Sequence, residues 1–429
     1  MKKLQQLFLL LGIITLAAGC AERVEDTVTY NVNEPVLMTK AAFRSSVKVS
    51  EQPQPIVRQG KICFYKGYLY ISEPEKGIHI LDNRDVRKPI NVGFIELIGN
   101  ADVAVRNDVL YADSFVDMVW FDVSNPAKPS LLGRKTDMFP YALPATNNFY
   151  GCDWEKMNAQ KETSIIVGWK VAERTVPVEK SSGVWWGWGR ATMDGMFTAN
   201  LSKNESVGSS STGVNGSMSR LIFYNDYLYS VFNNQMSIFK FNGKEPVKAT
   251  DDKYIGSNVE TIFSYKDNLF MGTPTGMLIY SVADPLKPVY QSSLQHVYGC
   301  DPVVVENDVA YVTVRSGNNC GQNQNQLIII DVKDVKSPKA LATYAMTHPK
   351  GLAVNNGTLY LCDDGLKVFN AANPQTIIAN RLAHFKNMDG FDVIVFNDVL
   401  MMIAAEGIYQ YDCKDVKNIT FLSKFSFVK

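Results

Sequence analysis

Four histidines in 429 residues, with no HExxH pair among them, leave little material for a histidine-held metal centre. No GxSxG elbow, phosphate-binding loop or dinucleotide fingerprint stands out, so the signatures of common hydrolases and nucleotide enzymes are missing. An excess of one charge is missing too: 43 Lys and Arg offset 43 Asp and Glu, a formal net charge of +0. Nucleic-acid binders neutralise phosphates with clustered cations, so the absence of a basic tail or surplus argues against that partner. Past the first twenty residues no apolar run is long enough to span a bilayer. What is present is 46% hydrophobic and 11% aromatic content, enough for a large core.

The N-terminus reads Lys2-Lys3, an apolar run from Leu7 to Leu16, then Ala17-Ala18-Gly19-Cys20. A short positive region, a brief apolar stretch and small residues before a cut describe an export signal over residues 1–19. Small residues directly before a cysteine resemble the bacterial lipoprotein signal, which implies lipidation at Cys20, attachment to a membrane through that lipid, and residence in the envelope, with the outer membrane as the expected site. Ordinary secretory cleavage nearby is the alternative. Residues 20–56 are polar and proline-bearing and are expected to form a tether, with a short helix around 38–46.

Self-comparison exposes a repeat. A polar turn pair, a variable residue, an aliphatic residue and usually an aromatic one recur, as in Asn107-Asp108-Val109-Leu110-Tyr111 and Asn307-Asp308-Val309-Ala310-Tyr311. The last anchor residues fall at 70, 111, 229, 270, 311, 360 and 401, so four of the six intervals equal 41. A second apolar run ends 10 to 12 residues after the anchor in six copies and 20 after it in the fifth, typically at Asx followed by proline, as in Asp122-Val123-Ser124-Asn125-Pro126. The runs are short and rich in Val, Ile, Tyr and Phe, which predicts strands. A four-stranded unit of about 40 residues copied in series is the blade of a β-propeller. Setting aside an insertion at 140–217, the body 57–429 supplies about 42 residues to each of seven blades. Eight blades is the alternative, should the insertion hide a degenerate copy.

Leu327-Ile328-Ile329-Ile330-Asp331 and Met118-Val119-Trp120-Phe121-Asp122, with the Asx-Pro turns after them, resemble the LVIVD repeat of exported bacterial propellers. With the N-terminal signal, the chain is similar to surface lipoproteins of the Bacteroidetes type. The resemblance implies an all-β propeller in the cell envelope. It supplies no catalytic group, since the motif specifies blades; Lys240 and Ser281 stand where Asp is usual.

If every repeat begins with its innermost strand, loops between blades and loops between second and third strands share one face, and loops on a rigid scaffold are the usual place for binding. Three candidate groups fall there. Trp185, Trp186 and Trp188 of the insertion offer flat apolar faces for a glycan or a partner protein; the plainer reading makes the insertion's tryptophans its own small core. The acids Asp102, Asp113, Asp117, Glu260, Asp301 and Asp392 converge as candidate ligand-binding residues. They suit Ca²⁺, which takes six to eight oxygens, or else serve as turn and strand-end residues neutralised by Lys61, Arg220 and Lys350. Cys300 and Cys320 are a candidate disulfide within one blade. The Gly/Ser-rich run 208–217 is expected to be a mobile connector. No catalytic residue and no cofactor is assigned. The expected function is a binding module for an envelope protein or glycan; the competing one is a polysaccharide lyase or glycoside hydrolase using rim carboxylates.

Overall fold

The computed structural model describes residues 27–50, 52–139, 142–147, 149–177, 211–232, 234–256, 258–295, 302–316 and 324–428. Seven four-stranded antiparallel blades stand in a ring, each built from consecutive strands. The innermost strand is the first of each repeat: Ile62–Tyr65, Val103–Arg106, Leu221–Tyr224, Thr261–Tyr265, Val303–Glu306, Leu352–Asn355 and Gly390–Phe396. From blade 1 to blade 7 each packs beside its counterpart in the next blade, and the short strand Val214–Asn215 contacts both Gly390–Phe396 and Ile62–Tyr65 where the ring closes. The alternative of an eighth blade is corrected by this count.

The repeat residues act through the backbone. The first residue of every anchor pair has positive φ, from Lys66 at 47° to Asn307 at 53°, and in five pairs the second has it as well. A two-residue hairpin whose twist matches its strands needs such angles, and Asn, Asp and Gly adopt them at least cost. At the end of the third strand Asp82, Asp122, Ser281, Asp331, Asn370 and Asp412 each accept a hydrogen bond from the backbone N–H two residues on. The motif's terminal Asp is therefore a turn residue. Both turns lie on the same face, here the lower; inner strands begin on the upper.

Neighbouring blades are clasped on the lower face. The Tyr65 hydroxyl and Lys66 Nζ meet Asp108 of blade 2, at 3.2 and 2.8 Å. Lys266 pairs with Asp308 of blade 5, and the Tyr224 hydroxyl donates to Asp267 of blade 4 at 2.7 Å. Among the described residues no strand is exchanged where blade 7 meets blade 1. That joint is held by the buried amides of Asn83 and Gln410, which bond reciprocally at 2.9 and 2.6 Å, by Ser423 Oγ on the Val86 carbonyl, and by rings of Phe64 and Phe396 4.9 Å apart.

Two parts of the chain outside the blades depart from expectation. Residues from Thr27 onward are not a tether. The strand Thr27–Thr39 pairs along its whole length with Ser164–Pro177 of the insertion. The helix Lys40–Ser45, capped by Thr39 Oγ1, then buries Phe43 beside Phe115 and Ile165 on the upper face of blade 2, and Lys48–Ser50 adds a strand to the outer edge of blade 1. Burial of an aromatic ring stabilises this arrangement where a polar linker would gain nothing.

The second is the run expected to be a connector. From Ser211 of that run to Ser219 just beyond it, the chain passes along the propeller axis, from the lower turn at Asn107 to the upper end of the inner strands. Val214 and Asn215 pair with Phe64 and Cys63 of blade 1, while Gly213 N–H donates to the Val105 carbonyl of blade 2 at 2.6 Å. Glycine is needed because the walls are close. A Cβ on Gly213 would sit 2.7 Å from Cys63 Sγ, and one on Gly216 2.5 Å from Asp392 Oδ2.

Candidate functional site

The inner strands start on the upper face, and their first residues bring charge to the axis. Lys61, Asp102 and Asp392 are almost fully buried. Asp102 takes Lys61 Nζ at 3.1 Å and Ser219 Oγ at 2.9 Å, together with the N–H groups of Arg220 and Leu221. Asp392 accepts from Ser217 Oγ at 2.9 Å and from the Ser217 N–H at 3.2 Å. The axial segment is thus pinned at its upper end by two carboxylates from blades 2 and 7. Burial pushes Asp392 up to about 8 against the opposing bond from Ser217, so its carboxyl is held neutral at pH 7. Burial also lowers Lys61 to about 8, with Asp102 opposing.

The other rim acids are similarly engaged. Asp113 Oδ1 accepts from the N–H groups of Ala101 and Asp102, each at 2.8 Å, and burial raises its pKa to about 6. Asp117 sits between Arg44 of the N-terminal helix and Arg134 of the outer strand of blade 2, at 3.1 and 2.9 Å, so it docks the helix. Glu260 is buried at the start of the inner strand of blade 4, and its charge acts on Arg315. Asp363 accepts from the N–H groups of Thr347 and His348 and from Lys367. The sequence placed these carboxylates on one rim; their chemistry there is to fix turns and the axial segment. Among the described residues no three His, Cys, Asp or Glu side chains come together as ligands of one metal ion.

Asp301, Cys300, Cys320, Trp185, Trp186, Trp188 and Cys20 lie outside the described residues. Of the other insertion tryptophans, Trp169 turns inward and donates Nε1 to the Pro144 carbonyl at 2.9 Å, whereas Trp154 is half exposed. Cys63, Cys362 and Cys413 are buried, unbridged thiols. Residues absent from the sequence reading prove central. Ser217 and Ser219 carry the axial contacts, and Asn33, fully buried, holds the loop at Asn147 and Tyr150 by donating Nδ2 to their carbonyls at 2.7 Å each. That loop presents Phe149, 87% exposed, beside the helix Trp154–Ala159. The two aromatic side chains are available to a partner, with flat apolar faces suited to contact.

No protein-family model matches the chain, and no curated protein matches it. Among solved structures it is similar to a protein from Lactobacillus plantarum, 12% identical, with 86% of this chain and 97% of that one covered at a TM-score of 0.51. It is also similar to the computationally designed protein Ika8 (8% identical, 88% and 91% covered, TM-score 0.48) and to BamB from Moraxella catarrhalis (9% identical, 89% and 97% covered, TM-score 0.46). Identities this low speak to the fold alone.

Proposed function

We propose that this protein is a binding module of the LVIVD-repeat kind, exported and anchored through lipid on Cys20, whose upper face engages a protein or glycan of the cell envelope. The observation that carries the reading is the filled axis. A propeller enzyme of the lyase or glycosidase type needs a cleft with carboxylates open to substrate, whereas Asp102, Asp113 and Asp392 are buried and bonded to the chain's own Lys61, Ser217, Ser219 and backbone N–H groups. The upper face instead carries the ribbon of Thr27–Thr39 and Ser164–Pro177 and the aromatic loop bonded to it at Asn33. These are features of a surface that contacts without transforming.

Deleting 140–217 is the wrong test, because it removes the axial segment. The pair Phe149→Ser and Trp154→Ser leaves the blades intact. The purified double variant is expected to keep its melting temperature and to lose at least tenfold in affinity for the polysaccharide or envelope protein that the unaltered chain retains. Turnover of any polysaccharide by the pure protein would overturn the reading. Separately, Cys20→Ser should move the protein from the membrane fraction to the soluble fraction.

A further inference from the structure

The lower face contains one place where two departures from the repeat coincide. The residue before the turn pair is Tyr65, Tyr224 and Tyr265 in blades 1, 3 and 4, and each hydroxyl bonds the Asp at the second turn position of the following blade. In blades 5 to 7 it is Glu306, Asn355 and Phe396, and in blade 2 it is Arg106, the one cation at this position. Its guanidinium lies over the Phe223 ring at 4.5 Å and donates Nε to Thr212 at 2.8 Å; it forms no ion pair with Asp226, the counterpart acid of blade 3. Blade 3 is also the one that carries Lys240 at the repeat position of the Asx or Ser turn residue, and its third strand, Gln235–Asn242, runs two residues further. A tight hairpin, with Asn242 paired to Glu245, replaces the long lower loop of the other blades. A half-open pocket of about 350 Å³ lies between blades 2 and 3, beside the missing clasp and the missing loop.

Both departures introduce a cation. Arg106, Lys240 and Lys244 line the cavity against the single acid Asp226, and its walls are Tyr111, Tyr227 and Phe241. Lys244 is already paired with Asp122 at 2.6 Å, which leaves Arg106 and Lys240 as the cations to meet a ligand. A guanidinium backed by an aromatic ring presents its remaining N–H groups as a fork, the geometry that grips a carboxylate through two bonds. A bare oxyanion is too small for the space. The volume is at the lower end of that of small-molecule sites, and the aromatic walls favour a flat body.

We propose that this cavity is a binding site for a small organic anion consisting of a carboxylate on a flat ring, with the carboxylate on Arg106 and Lys240 and the ring against Tyr227 and Phe241. The site is separate from the upper face and does not depend on the function proposed for it.

Benzoate is a suitable probe, with benzamide as its neutral counterpart and inorganic phosphate as the bare oxyanion. Calorimetry on the unaltered chain should show saturable benzoate binding with one site, and neither benzamide nor phosphate should match it. Arg106→Gln and Lys240→Gln should each weaken benzoate at least tenfold, while Lys333→Gln, an exposed cation on the same face in blade 5, leaves it unchanged. Circular dichroism and melting temperature report whether the variants are folded. Absence of saturable benzoate binding by the unaltered chain, equal binding of benzamide, or undiminished binding by a folded Arg106→Gln would each overturn the proposal. Phosphate binding as tightly as benzoate would overturn the assignment of a ring subsite.

Discussion

Asp392 shows how a buried charge links this fold to pH. Its carboxyl is held up to about 8 in the folded chain by burial, while in the unfolded chain it titrates near its ordinary value of about 4. Between those values the folded state holds a proton that the unfolded state releases, so stability falls as pH rises through the window. Asp113, raised to about 6, acts in the same direction over the lower part of it. Lys61 acts in the opposite sense, but only above about 8. Asp392→Asn keeps an oxygen to accept from Ser217 and removes the titration. Its denaturation midpoint should therefore change little from pH 6.5 to 7.5, above the range of Asp113, where the unaltered chain still loses stability, and at pH 7.5 the variant should be the more stable by on the order of 1–4 kcal/mol. Parallel pH slopes for the two proteins would contradict the burial-driven shift. Asp102 should respond oppositely. It is the counter-charge of Lys61, so Asp102→Ala strands a buried ammonium and is expected to cost about 3–5 kcal/mol in urea denaturation.

The axial segment is the element on which the blades converge. It touches blade 1 through Val214 and Asn215, blade 2 through Gly213, blade 7 through Ser217 on Asp392, and blade 4 through the Ser219 carbonyl. Because Gly216 faces the Asp392 carboxyl, Gly216→Ala forces a buried group to move and should cost about 1–3 kcal/mol by urea denaturation. Ser211→Ala, at the exposed lower end, should cost nothing measurable. The segment also marks a limit of reading the sequence. Asn-Asp turn pairs and Asx-Pro turns are legible because left-handed backbone and local side-chain bonds favour few residue types. A Gly/Ser run is ambiguous, since the same residues suit a solvated linker and a strand pressed between others. Thr27–Thr39 was illegible for a different reason: its partner is Ser164–Pro177, well over a hundred residues away, and nothing local encodes that pairing. Repeat register puts the rim acids at strand starts and upper loops, but only coordinates could reveal that Asp102, Asp113 and Asp363 are held by backbone N–H groups and Asp117 by two arginines.

At the scale of the whole ring, the joint between blades 7 and 1 carries the burden that a shared strand carries in a laced propeller. The blades contribute complete sheets on either side, so the joint has side-chain and terminal contacts and no ladder of backbone hydrogen bonds. Its polar centre is the Asn83–Gln410 amide pair, with Gln410 also reaching the Val86 carbonyl at 3.1 Å and the Val428 N–H reaching the Ile56 carbonyl at 2.9 Å. Both amides are buried, so Gln410→Ala leaves Asn83 unsatisfied and opens a void at once. The expected cost is about 2–4 kcal/mol. Its distribution is the more informative quantity. If the joint is where the circle opens, hydrogen exchange should accelerate in the strands of blades 1 and 7, Ile62–Tyr65 and Gly407–Asp412 among them, while Gly276–Ser281 on the far side of the ring keeps its protection. Equal acceleration in all seven blades would mean that the axial segment couples them into one cooperative unit, and that the ring opens nowhere before it unfolds everywhere.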